Sequence, residues 1–524
     1  MGILDNVILG FGTALTPANL LYCLVGCFVG TLIGVLPGIG PLAALSMLLP
    51  VTYKIDPTGS IIMLSGMFYG SMYGGSTTSV LVNIPGEAAS VVTCMDGYQM
   101  ARQGRAGIAL GIAAIGSFLA GSISTVGLNL LSPLLVRVAL KFGPPEYFAV
   151  MTLGFVATMF VVGGSRLKAF QMLCLGLFVS CVGLDTVSGV QRFTFAIPNL
   201  MNGADLVAVI MGMFGVSEIL LNMEQTEERE VYTASIGRIL PNREDMKASL
   251  LPICRGSVLG FFLGLLPGAG NVTSSFLSYG MERRLSKHPE RFGSGAIEGV
   301  AGPEAANNAA VAGSMIPLLS LGLPGAPVTA VLMGALIIHG VQPGPMLLSR
   351  HPEIFWGVIA SFYVGNVMLL ILNLPLINIW VQFLKIPYRI LFPLILILCV
   401  IGTYSTNLNT FDVWVMIVFG LLGYLLRKSN YELAPFILAL VLGPMFEQSL
   451  RQALTLSAQD PMIFFSHPIS ATLLGISLIL IAVLGWDARR ERRGRRANRL
   501  EAPTQSTARS SATERHQDHT TRHV

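Results

Sequence analysis

"GTLIGVLPGIGP", Gly30 to Pro41, is the stretch whose reading decides the fold. It closes an apolar run, yet it holds four glycines and two prolines, the residue types that end a helix. "GFFLGLLPGAG", Gly260 to Gly270, does nearly the same: Gly30, Gly34, Pro37, Gly38 and Gly40 match Gly260, Gly264, Pro267, Gly268 and Gly270 at a constant offset of 230 residues. In hydrocarbon an unpaired backbone group costs several kcal/mol, so a broken helix survives only inside protein or beside a watery cavity. A deep break made twice therefore predicts a site at the breaks.

The surroundings are bilayer-like. The chain has 524 residues, 53% hydrophobic and only 12% charged, with mean hydropathy +0.67, against about 25% charged in soluble proteins. Apolar runs recur at Ile108–Leu135, Phe148–Gly164, Trp356–Trp380, Ile390–Thr403, Val413–Leu426 and Ile469–Trp486. They lack a two-residue alternation, which excludes a β-barrel and predicts an all-α polytopic membrane protein. "MGILDNVILG" has no basic stretch or cleavage site, so no cleaved signal peptide is expected. Asn6 stands where a myristoylation motif needs Ser or Thr. The seven cysteines lie singly in apolar surroundings, as packing residues, and no cofactor site is expected.

Order is kept beyond the first motif. "NIPGEAASVV" (Asn83–Val92) is answered by "LGLPGAPVTAV" (Leu321–Val331), "KFGPPEYF" from Lys141 by "KIPYRILF" from Lys385, and Gly203–Glu218 by Tyr431–Glu447. The reading is a first transmembrane repeat over 1–222, a charged, solvent-exposed linker over 223–249 and a second repeat over 250–451. An extra C-terminal helix within 452–486 and a basic tail over 487–524 follow. Met281–Gly295 holds four Lys or Arg residues and its counterpart Val51–Ser60 holds one. That asymmetry favours inverted copies over parallel ones. Seven arginines in Asp487–Leu500 place the C-terminus in the cytoplasm, and the polar tail beyond reads as disordered.

Each Pro-Gly break gives the next segment a fresh N-terminus whose first N–H groups have no intrahelical partner. Four such breaks, two per copy, form amide cradles for an anion: Pro37-Gly38, Pro85-Gly86, Pro267-Gly268 and Pro324-Gly325. The expected substrate-binding residues are these eight with Gly40, Asn83, Gly270 and Asn271. The expected cation-binding residues are Ser76, Thr77, Thr78, Ser79, Glu304, Asn307 and Asn308, whose oxygens suit a desolvated ion. No Lys or Arg lies between Lys54 and Arg102 or between Arg291 and Arg350. An anion held at the breaks would be held by amides and not by an arginine clamp; a neutral substrate is also compatible, so the sign of the ligand rests on dipole physics. Glu87, Asp96 and Glu298 read equally well as helix caps, and Glu304 is the best candidate for an ion-linked carboxylate.

Three rival readings fit less well. Gly38-Ile-Gly40-Pro-Leu-Ala43 matches a dinucleotide fingerprint, but the second copy has Thr273 where Gly or Ala is needed, and the setting is not βαβ. Close packing of small residues explains one lone Pro-Gly better than four in corresponding places. An intramembrane protease or other membrane enzyme needs a catalytic pair at depth, and Asp185, Asp412 and His339 stand in no such motif.

"GTLIGVLPGIGPLAALSMLLP" (from Gly30), "YGGSTTSVLVNIPGEAASVVTCMDGYQMARQG" (from Tyr73) and "GVAGPEAANNAAVAGSMIPLLSLGLPGAPVTAVLMGAL" (from Gly299) closely resemble the large membrane subunit of the tripartite tricarboxylate transporters, the TctA family. The resemblance covers roughly residues 1–490. It implies a bacterial inner membrane, a small membrane partner of the TctB type and a periplasmic solute-binding protein of the TctC type. It implies import of small carboxylates by symport with Na⁺ or H⁺, with the glycine-proline regions and "PEAANN" as the transport site. The absence of a G-x-x-x-x-G-K-[ST] loop agrees with transport that does not use ATP.

Overall fold

The computed structural model describes residues 3–36, 40–161, 165–185, 188–224, 236–266, 270–384 and 388–501. The described chain is almost wholly helical, and its one sheet is a two-residue hairpin, Gly183–Leu184 with Gln191–Arg192. The first half contains α1 (Ile3–Ala14), α2 (Pro17–Val35), α3 (Gly40–Thr52), α4 (Pro57–Val82), α5 (Val91–Met100), α6 (Ala106–Ala139), α7 (Pro144–Val161), α8 (Arg166–Ser180) and α9 (Leu206–Glu224). The rest contains α10 (Arg243–Gly264), α11 (Gly270–Leu285), α12 (Glu298–Leu321), α13 (Pro327–Ile338), α14 (Pro345–Arg350), α15 (Pro352–Asn373), α16 (Ile377–Phe383), α17 (Tyr388–Asn407), α18 (Thr410–Lys428), α19 (Ala434–Leu456), α20 (Ile463–Ser466) and α21 (Pro468–Glu501). Six described helices are long and apolar enough to cross a bilayer. Leu250, Leu251, Val258 and Phe262 are exposed along α10, as are Trp414, Val418, Leu421 and Leu425 along α18, the surface a lipid solvent accepts. The protein is an all-α polytopic membrane protein. Residues up to Leu474 form one compact unit, and the chain from Gly475 onward forms a second.

Local chemistry sets the helix ends. Thr16 and Asp56 cap α2 and α4 by accepting from Asn19 N and Gly59 N, each followed by a proline at the first helical position. Asn242 and Asp245 form a reciprocal capping box on α10. The left-handed residues Asn83 (φ 57°) and Gly322 (φ 70°) stop α4 and α12, just before Pro85-Gly86 and Pro324-Gly325.

Seams of small residues lock the broken helices to the long ones. Along α2, Gly26, Gly30 and Gly34 lie against the carbonyls of Met63, Met67 and Ser71 of α4, while Gly66, Gly70 and Gly74 of α4 face Cys23, Cys27 and Thr31. Along α10, Gly256, Gly260 and Gly264 lie against the carbonyls of Gly302, Ala306 and Ala310 of α12, step for step. A glycine every fourth residue keeps one face of the helix bare, so backbones touch. In both pairs the contacts ascend together, so α2 runs parallel to α4 and α10 parallel to α12.

The halves interlock. On α4 and α15, Tyr69 packs on Phe362 and Tyr73 Oη donates to Asn366 Oδ1 at 3.0 Å, an ascending and therefore parallel pairing. Asn308 Nδ2 donates to Ser117 Oγ at 2.6 Å and Ser320 Oγ to Ser132 O at 3.3 Å, so α12 is parallel to α6. Asn366 lies beside Phe118 and Ser122, whereas Tyr363 lies beside Asn129, so α15 is antiparallel to α6. It follows that α4 and α12 run in opposite directions, and so do α2 and α10.

Three sequence readings change. The Trp356–Trp380 run is two helices, because α15 ends at Asn373 and Pro375 follows; Trp380 then folds back to donate Nε1–H to Leu372 O at 2.8 Å. The expected solvent-exposed linker is tied down in part: Gly107 N donates to Ile236 O at 2.9 Å and Gly111 lies against Ile239 O. Its residues 225–235 lie outside the described residues. Cys23, Cys27 and Cys399 are buried, but Cys174 and Cys254 are exposed on apolar helices, and none is paired.

Asp96 is a buried tie between the halves. Its Oδ1 accepts from the backbone N–H of Gly293, Gly295 and Ala296, each at 2.8 Å, and its Oδ2 from Tyr279 Oη at 2.9 Å. Asp96→Ala strands three N–H groups at about 1 kcal/mol or more each, so thermal unfolding in detergent should show a loss of at least about 3 kcal/mol, and Asp96→Asn a smaller one. In the same assay Gly30→Val or Gly260→Val should cost at least 1–3 kcal/mol by overpacking. Gly12→Ala, with no atom near its added methyl, should be tolerated. Equal stability of Gly30→Val and Gly12→Ala would disprove the seam.

Candidate functional site

The breaks of the two halves meet through α12. Glu304, Asn307 and Asn308 lie one turn apart on this buried helix. Asn307 Nδ2 donates to Glu87 Oε1 at 3.0 Å. Glu87 follows Pro85-Gly86, and its Oε2 accepts from Ala89 N at 2.7 Å. From the other side Asn271, the second residue of α11, donates Nδ2–H to Asn307 O at 3.4 Å and touches Met72 Sδ at 3.4 Å. The start of α11, the second break and the middle of α12 are thus one hydrogen-bonded cluster.

Glu304 is the second carboxylate. Ser76 Oγ of α4 donates to its Oε2 at 2.7 Å and Thr93 Oγ1 of α5 donates to its Oε1. Asn308, one turn on, donates Nδ2–H to Glu304 O at 3.1 Å and to Ser117 Oγ of α6. Glu87 is 7% exposed and Glu304 1%. Neither forms an ion pair with a described Lys, Arg or His. An ionised carboxylate so placed lacks a protein counter-charge. It suits a partner that is itself positive, a proton or a metal cation.

The predicted residues separate into groups. Ser76, Glu304, Asn307, Asn308 and Asn271 are brought together, and Thr77 lines a small adjoining cavity. Thr78 instead donates Oγ1–H to Val35 O at 2.7 Å, covering a carbonyl freed where α2 stops, and Ser79 donates within its own helix to Gly75 O at 2.9 Å. Both hydroxyls are therefore tied to backbone, away from the carboxylates. Asn83 is the left-handed helix stop described above. Gly86 lies against Gly34 O and Gly325 against Gly264 O, each second break packed on the end of its own half's broken helix. Gly40 and Gly270, first residues of α3 and α11, share a left-handed backbone (φ 55° and 50°) with open space where a side chain would be. Pro37, Gly38, Pro267 and Gly268 lie outside the described residues.

The two described Pro-Gly breaks are not alike. After Pro85-Gly86 the N–H of Ala89 is occupied by Glu87 itself. After Pro324-Gly325 the matching place holds Ala326, whose N–H donates to Thr329 Oγ1 at 2.8 Å, with no carboxylate. Sequence reading left Glu87 open between a functional acid and a helix cap, and passed over Thr93 and Ser117. The signal for Glu87 was its place directly after a Pro-Gly break.

The acids weighed for a protease do not meet: Asp185 pairs with Arg451 at 2.9 Å, while Asp412 Oδ2 accepts from Asn407 Nδ2 at 2.8 Å. His339 stacks on Tyr53 at 6.5 Å. Among the described residues no cluster of His, Cys, Asp and Glu has the form of a metal centre.

Comparison with known proteins gives two relatives. Over 486 residues, 92% of this chain and 97% of the other, it is 50% identical to the "Uncharacterized 52.8 kDa protein in TAR-I ttuC' 3'region" of Agrobacterium vitis. It is 54% identical over 222 residues, 42% of this chain and 92% of the other, to the "Uncharacterized protein in TAR-II ttuC' 3'region" of the same organism. No solved structure matches. The family described as "Tripartite tricarboxylate transporter TctA family" matches residues 20–438, which takes in every broken helix and both carboxylates. The chain belongs to that transporter family.

Proposed function

We propose that this chain is the membrane subunit of a secondary active importer of small carboxylates of the tricarboxylate and dicarboxylate class, driven by cation symport. A periplasmic binding protein of the TctC type delivers the substrate, and a small membrane subunit of the TctB type completes the carrier. The protein sits in the bacterial inner membrane with its arginine-rich C-terminus in the cytoplasm.

The observation that carries the reading is the meeting of backbone breaks and carboxylates where α4, α5, α11 and α12 join. Helix starts that offer amides serve the anion, and Glu304, Ser76, Asn307 and Asn308 serve the cation. Open space beside left-handed Gly40 and Gly270 supports substrate approach at those two helix starts. At Pro85-Gly86 an anion can use the Ala89 amide only when Glu87 has left it. The opposed directions of α2 and α10, with matching glycine seams, support two inverted copies of one unit. Helices packed in opposite directions about a shared centre suit alternating exposure of a fixed site.

Uptake of labelled citrate and C4-dicarboxylates into proteoliposomes holding the full chain and both partner proteins tests this. Gly38→Val and Gly268→Val should each lower initial uptake at least about 100-fold, by placing a branched side chain where the backbone approaches its ligand, with insertion unchanged. Full uptake by both variants would remove the breaks from the site. Absence of carboxylate uptake by the complete wild-type system would end the functional reading.

A further inference from the structure

We propose that the cleft at the C-terminal ends of α8 and α19, with Arg192 and Arg451 at its mouth, is an entry vestibule that binds a di- or tricarboxylate before it reaches the breaks. This rests on the carrier reading above, from which its test is separable.

An outer cavity of about 400 Å³ has Asp185, Arg192, Glu447 and Arg451 in its wall, with room for a small carboxylate and its waters. These side chains form one fork. Glu447 Oε1 accepts from Arg192 Nη1 at 2.7 Å and from Arg451 Nη2 at 2.6 Å, and Glu447 Oε2 accepts from Arg192 Nη2 at 3.1 Å. Arg451 Nη1 lies 2.9 Å from Asp185 Oδ2. Arg192 Nε is buried with no acceptor. The side chains of Arg192, Glu447 and Arg451 are 27%, 26% and 37% exposed, so solvent reaches the fork. An inner cavity of about 470 Å³ adjoins the outer one at Ser180, Val182, Asn202 and Pro444, and no charged side chain lines it among the described residues. Its wall includes the loop 340–343. Pro343 O in that loop lies against Gly322, the left-handed stop just before Pro324-Gly325. Arginines, an uncharged throat and a Pro-Gly break thus adjoin in that order.

Charge tells which way the cleft opens. Gly176 of α8 faces Phe436 O, and Gly443 of α19 faces Ser180, so these helices run parallel and the cleft lies where both end. Arg166, Lys168, Arg427 and Lys428 lie at the other end, where Lys168 Nζ donates to Ser429 O at 2.6 Å. Four cations there, against two arginines matched by two acids at the cleft, turn the cleft to the periplasm. Glu447 shows what the fork recognises, because paired guanidinium groups grip a carboxylate with several charge-assisted hydrogen bonds. A cargo carboxylate can replace that of Glu447 without stripping the arginines of a partner. When the cargo moves on, Glu447 returns, and no charge is left uncompensated. A molecule with two or three carboxylates can keep one on the fork while another advances into the throat.

The test is thermal unfolding of the full-length protein in detergent, titrated with citrate at constant ionic strength. It is run on the wild type and on Gly268→Val, in which the reading above blocks the deeper site. Gly268→Val should keep a citrate-dependent rise in its midpoint. On that background Arg192→Gln and Arg451→Gln should each raise the half-saturating citrate concentration about tenfold or more. Glu447→Gln removes the internal competitor and should lower it about threefold or more. All three substitutions break the same ion network, so a purely structural role would shift none of these concentrations, or shift all three the same way. Either result would overturn the proposal, as would loss of the citrate response in Gly268→Val alone. Reading the citrate increment within each variant separates binding from general destabilisation, and the opposed signs guard against misfolding. Opposed shifts with no citrate uptake by the complete wild-type system would sink the transport reading and leave the vestibule standing. Citrate uptake by the complete system, with one half-saturating concentration shared by all the variants, would do the reverse.

Discussion

Everything in this fold hangs on backbone laid directly against backbone. α2 and α10 each end at a break in an apolar setting, where carbonyls without a partner would cost several kcal/mol each. They escape that cost because Gly26, Gly30 and Gly34, and Gly256, Gly260 and Gly264, let each broken helix lie flush on a long neighbour. Close approach brings Thr78 within reach of Val35 O and seats Gly86 on Gly34 O and Gly325 on Gly264 O. The seam thus fixes the ends of the broken helices, beside the candidate site. A scaffold of bulky side chains would keep the helices apart and leave their interrupted ends unsatisfied.

Much of this was legible in the residues. The four-residue glycine spacing could be seen in the quoted motif, and so could its recurrence 230 residues on. Ser76, Glu304, Asn307, Asn308 and Asn271 were legible because polar side chains inside an apolar run need a reason to be there. What was hidden depends on partners distant in sequence. Thr78 and Ser79 look like Ser76 in "GGSTTS", but helix rotation turns one hydroxyl to the end of α2 and the other back onto its own turn, and only Ser76 faces α12. Ser117 and Asn373 sit in ordinary membrane helices, and only the interlocking of α6 and α15 with the opposite half brings them to the small cavity that Thr77 lines. The break after Asn373 was missed because one asparagine and one proline do little to an apolar average.

Similar packing in the two halves surrounds an asymmetric candidate site. Glycine seams, left-handed stops at Asn83 and Gly322, and local caps by Ser90 and Thr329 recur in both halves. The acids do not recur: Glu87 answers to Ala326, and Glu304 stands on the second long helix alone. Symmetric packing lets each half satisfy its own backbone, and the departures from symmetry are then available for chemistry.

That division explains how a membrane protein could bind an anion without an arginine. A fixed cation at depth would attract a carboxylate but would also be buried without a partner whenever the carboxylate left. Amides at a helix start carry only partial charge, so they cost less to leave empty. The acids next to them face the mirror problem, and a mobile cation solves it in the same step. In the proposed cycle a positive ion neutralises Glu304, whereas an anion that reached the helix starts before that ion would add to a negative charge already buried there. Electrostatics in the low-dielectric site thus makes prior binding of the ion favour the substrate, with Glu87 holding the Ala89 amide while the substrate is absent.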